Sequence, residues 1–113
     1  MGLYSATGTL LGSTADQSAA WVTGGGTSTG QKKVPLTTPY VNAPIGFYYV
    51  GILTNGTTTP AFIRNANTNG VNFNLTAGNY RWALYGSSQT TLPASVPMAS
   101  APLSSLTIWV GVN

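Results

Sequence analysis

Few side chains in this chain can do acid–base, nucleophilic or metal chemistry. Asp16 is the only carboxylate side chain; the cations are Lys32, Lys33, Arg64 and Arg81; and there is no His, Cys or Glu. Glycoside hydrolysis needs two carboxylates, and a Ser-His-Asp triad needs the imidazole. Thiol catalysis and thiolate zinc sites need cysteine, and calcium needs several carboxylates around one ion. A Ser-Lys pair built on Lys32 or Lys33 is the one arrangement left, and lysines beside a glycine-rich run read as solvated side chains. The chain is therefore expected not to be an enzyme, and to hold no cofactor and no metal.

Other patterns invite functional readings and fail on spacing. Gly24-Gly25-Gly26 lacks the G-x-x-x-x-G-K-[ST] spacing and the following helix of a phosphate loop, so it reads as a loop. The net charge of +3 rests on five charged residues, with Lys32-Lys33 the only adjacent cations. Nucleic-acid binders cluster Lys and Arg along a face, so no nucleic-acid partner is expected. No run approaches the roughly 18 apolar residues of a membrane-spanning helix, and the first residues lack the basic and apolar segments of a signal peptide. No membrane partner is expected.

What remains is aromatic. The chain carries three Trp, six Tyr and three Phe. Most aromatics pack in cores, but their faces also suit sugars and partner proteins. In Phe47-Tyr48-Tyr49 successive side chains point to opposite faces, so one of those faces can meet a partner. Tyr48, Tyr40 and Trp82, with Lys32 and Lys33, are the candidate partner or glycan contacts.

The elements that must position them read as strands. Thr, Gly, Asn and Pro are abundant, and short runs of Val, Ile, Tyr, Phe and Trp are bounded by turn residues. Residues 2–5 and 9–13 read as a hairpin turning at Ala6-Thr7-Gly8, with Gly8 at positive φ. Asp16 is placed to cap a short helical turn over residues 16–21, with Trp21 as a buried plug. Residues 32–36 read as a short edge strand ending near Pro35, and residues 39–44 as a connector. Residues 46–54 form the strongest strand, apolar on both faces as a central strand would be. Asn55-Gly56 is a turn signal. Further strands are expected over 60–64, 71–75, 80–85 and 106–112. Ala77-Gly78-Asn79 is read as a turn and residues 87–105 as a long loop.

This predicts one domain over residues 1–113: an all-β fold, an antiparallel β-sandwich of about eight short strands. Only 4% of the residues are charged, against about 25% in a typical soluble domain. A surface built from Thr, Ser, Asn, Gln and Gly suits a chain packed into an assembly. The lack of cysteine suits assembly in a reducing cytoplasm. A first strand beginning at the first residues suggests open sheet edges, which a neighbouring subunit is expected to cover.

Three stretches carry a family resemblance: residues 2–17 (GLYSATGTLLGSTADQ), residues 36–40 (LTTPY) and residues 46–62 (GFYYVGILTNGTTTPAF). They resemble a β-sandwich domain of minor tail proteins from actinobacteria-infecting bacteriophages. The resemblance implies a jelly-roll-like sandwich in the outer part of the tail, acting by subunit contacts and by adhesion to the host surface. In the resembling proteins further strands precede the Gly2-Leu3-Tyr4 segment, so this domain is expected to lack them. The implied location is the virion, assembled in the host cytoplasm. The implied partners are other virion subunits and a homo-oligomer, with a trimer favoured, and in addition a host surface glycan. A capsid decoration or head-fibre protein and a stand-alone carbohydrate- or receptor-binding module are the alternative readings.

Overall fold

A computed structural model describes residues 1–18, 33–56, 64–65, 75–76, 79–81, 83–101 and 107–108. Within them the regular structure is almost entirely strand. They hold five short strands, β1 (Gly2–Ser5), β2 (Leu10–Ser13), β3 (Tyr48–Gly51), β4 (Arg64–Asn65) and β5 (Thr107–Ile108), with one 3-10 turn at Met98–Ser100 between β4 and β5. The strands form a three-stranded sheet in the order β2-β1-β3 and a two-stranded sheet, β4-β5, and every strand pair is antiparallel.

The hairpin forms because its turn residues allow it. Gly8 N–H donates to Ser5 C=O at 3.0 Å and Ser5 N–H to Thr9 C=O at 2.9 Å, with Gly8 at φ 89°. Closing a three-residue loop on a left-handed residue is the role glycine fills at least cost. Beyond the loop the register shifts between Leu3 and Tyr4: Leu3 faces Gly12 whereas Tyr4 faces Leu10, which leaves Leu11 as the extra residue of a β-bulge.

Alternation sorts the sheet into two faces. Gly2 and Tyr4 share one with their partners across β3, Gly51 and Tyr49. Leu3 and Ser5 share the other with Val50 and Tyr48 on β3 and Gly12 on β2. On the first face the Tyr4 ring lies down over two glycines. A Cβ on Gly51 would stand 2.7 Å from the ring, and one on Gly2 3.2 Å. Side chains there would push the ring off the sheet. Tyr4 is 2% exposed, and its hydroxyl donates to Pro93 C=O at 3.0 Å.

A strap, residues 92–101, closes that face. Leu10 N–H donates to Ala94 C=O and Val96 N–H to Gly8 C=O, both at 2.9 Å, around an antiparallel bridge between Thr9 and Ser95. The strap delivers Val96 and Ala101, which with Tyr4 are the buried hydrophobic residues among those described, and Leu92, which approaches Gly2.

A crossover, residues 36–47, serves the opposite face. β2 and β3 lie on either side of β1, so the chain must cross β1 to join them. Leu36 stands where a Cβ on Gly12 would meet it at 3.4 Å, Thr37 N–H donates to Ser13 C=O at 2.8 Å, and Tyr40 rests against Tyr48.

Several sequence expectations change. The strand through residues 46–54 is shorter (Tyr48–Gly51), and among the described residues it pairs on one side only; β1 is the central strand. Its two apolar faces arise because the crossover covers one of them. Residues 33–36 are not a strand: Pro35 has no N–H to give a ladder, and Thr37 makes the contact with Ser13 instead. Described residues 80, 81 and 83–85 form no extended strand, with one isolated bridge at Ala83. The loop expected over 87–105 contains the strap and the 3-10 turn. Of the strands expected over 60–64 and 106–112, the described portions are Arg64, paired through β4, and Thr107–Ile108. Asn79 N–H donates to Thr76 C=O at 3.0 Å; Ala77 and Gly78, within the turn expected there, lie outside the described residues. Ser18 N–H donates to Asp16 Oδ1 at 2.9 Å, a capping geometry. Trp21, the Gly24-Gly25-Gly26 loop and the strand over 71–74 lie outside the described residues.

Candidate functional site

The crossover is where the candidate residues meet. Tyr40 stands at its middle and Tyr48 at its end, the first residue of β3. Their ring centroids are 6.2 Å apart with planes at 62°, an edge-to-face pair. The Tyr48 hydroxyl donates to Pro44 C=O at 2.7 Å. These two contacts fold residues 40–48 back onto the start of β3. Desolvation, followed by the neighbouring Tyr40, raises the Tyr48 phenol above its ordinary pKa. Both rings are half-buried, and the Tyr48 hydroxyl is committed to a partner within the chain.

The segment that this pair holds is exposed throughout, from Val41 to Phe47. Ile45 is fully exposed, Phe47 84% and Val41 69%. Asn42, at φ 54°, turns the chain between them, a conformation Asn tolerates better than most residues. No charged residue occurs between Lys33 and Arg64, so the stretch that carries the three exposed apolar side chains has no ionic side chain of its own.

Of the other candidates, Lys33 alone is among the described residues, and it is exposed. Lys32 and Trp82 lie outside the described residues. Asp16, the lone carboxylate side chain, spends its oxygen on the Ser18 N–H, and that hydrogen bond holds its pKa below the ordinary carboxylate value. A second exposed apolar pair, Leu84 and Tyr85, lies in the segment before the strap.

Sequence reasoning singled out Tyr40 and Tyr48 but missed Val41 and Ile45, the apolar residues displayed between them. The available signal was a proline-flanked connector holding large apolar residues and no charge.

No family model matches the chain. No curated protein or solved structure matches it at a significant level either. The functional reading therefore stands on the chain's own residues.

Proposed function

We propose that this chain is a structural subunit of a bacteriophage particle, of the minor tail or tail-fibre type, which works by contacts with other subunits and has no catalytic role. The observation that carries the reading is the pinned, charge-free and apolar segment from Val41 to Phe47. Isolated soluble domains scatter such residues singly; a cluster on one segment marks an interaction surface. The low charge of the whole chain and its three tail-protein-like stretches support the same reading. The two antiparallel sheets fit the proposed β-sandwich, jelly-roll-like, with β2-β1-β3 and β4-β5 as parts of its layers. A capsid decoration or head-fibre role would use the same surface.

The glycan-binding alternative rests on Tyr40 and Tyr48, and their geometry disfavours it, because the Tyr48 hydroxyl is already bonded to Pro44. Peptide mass spectrometry of particles purified from a culture expressing the chain tests the proposal. The chain should co-purify with particles at a fixed ratio to the other virion proteins. Recovery only in the soluble fraction would refute the reading, and specific retention on a glycan array would replace it with the binding-module reading.

A further inference from the structure

We propose that the exposed segment from Val41 to Phe47 is the surface through which one copy of this chain contacts a second copy. This rests on the subunit reading above and names the partner for that surface. Three observations favour a second copy. The segment is held in one shape by the Tyr40–Tyr48 ring pair and the Tyr48–Pro44 hydrogen bond, so little order has to be gained on contact.

Charge is the second argument. The chain carries a net +3 charge, so most approaches of one copy to another are repulsive; the stretch between Lys33 and Arg64 contributes none of that charge. A nucleic acid or an anionic membrane would need cations here. A neutral apolar surface matches itself. The third is position: the segment runs into β3, which among the described residues is paired on one side only, and a strand edge beside an apolar patch is a common site for association.

Size sets the strength. Val41, Ile45 and Phe47 expose on the order of 400 Å² between them, about half the roughly 800 Å² that each partner gives to a standard stable interface. The contact is therefore at the weak end of protein interfaces between free chains and is reinforced wherever an assembly holds copies side by side.

Sedimentation velocity of the full chain, from about 1 to 500 µM, reads this directly. The sedimentation coefficient should rise with concentration. The double variant Ile45→Ser/Phe47→Ser should weaken association by more than about tenfold, whereas Leu84→Ser, which removes an exposed apolar side chain elsewhere, should leave it unchanged. Near-UV circular dichroism of the double variant should match that of the parent. Three results would overturn the proposal: a monomer at every concentration; association that the double variant leaves intact; or loss of the near-UV signal in that variant, which would assign these side chains to the chain's own core. None of the three bears on whether the chain co-purifies with particles, so the two readings fail separately.

Discussion

Two segments pass over the two faces of β1, and they are built on opposite plans. The strap, residues 92–101, gives its apolar side chains to the sheet: Val96 and Ala101 are buried, Leu92 approaches Gly2, and the Pro93 carbonyl takes the Tyr4 hydroxyl. The crossover, residues 36–47, gives the sheet little beyond Leu36 and Tyr40 and turns Val41, Ile45 and Phe47 outward. Both are fixed by hydrogen bonds and both are rich in proline. The difference lies in where the large apolar groups end up. Folding explains the strap, because buried apolar area is the main favourable term in stability. It does not explain the crossover, whose pinned geometry costs order without burying these side chains. The subunit contact proposed above would account for a surface held that way.

The comparison can be broken most severely on the strap side. Gly8→Ala would place a Cβ against the Val96 carbonyl oxygen at a φ of 89°. Strain and overpacking together should destabilise the chain by about 2–5 kcal/mol in urea unfolding. A loss under about 0.5 kcal/mol would mean that the strap does not close on the hairpin. Gly51→Ala is the next test. Its Cβ would stand 2.7 Å from the Tyr4 ring, with an expected cost of about 1–3 kcal/mol. Thermal melts that overlay the parent's would remove the glycine floor from the account.

Alkaline pH probes the same face more gently. Burial, reinforced by the neighbouring Tyr85, raises the Tyr4 phenol above the ordinary tyrosine pKa of 10.0. The folded state therefore holds this proton more tightly than the unfolded state. The resulting stability is fully present below the unfolded pKa and is lost as pH rises through the raised folded value. Denaturant midpoints should fall above about pH 10, and Tyr4→Phe should flatten that fall. An identical alkaline loss in the variant would place the effect elsewhere. The smallest effect is expected on the crossover: Ile45→Ser and Phe47→Ser should each shift stability by no more than about 0.5 kcal/mol. A cost of several kcal/mol would erase the contrast between the two segments.

How much of this could be read in the sequence depended on how local the cause was. The hairpin was legible because Gly8 and the short alternating runs act within a dozen residues. β3 was legible as a strand from its aromatic run. Its place in the sheet was not legible: among the described residues β3 pairs on one side only, and apolar residues on both faces of Tyr48–Gly51 look alike whether strands or a crossover cover them. The strap was hidden because single backbone pairs such as Leu10–Ala94 leave no periodic mark in a segment rich in Pro and Ser. At the candidate site, Tyr40 and Tyr48 stood out one at a time, but their edge-to-face contact depends on how the crossover returns to β3. Val41 and Ile45 were read as part of a connector, because sequence alone does not show which way an isolated apolar side chain turns.

The most direct test of the copy-to-copy contact through the crossover is the solution mass of the purified chain, measured by light scattering coupled to size exclusion at rising concentration. The account predicts a mass that climbs toward a defined small multiple of 11.7 kDa. A mass fixed at 11.7 kDa across the whole range would contradict it.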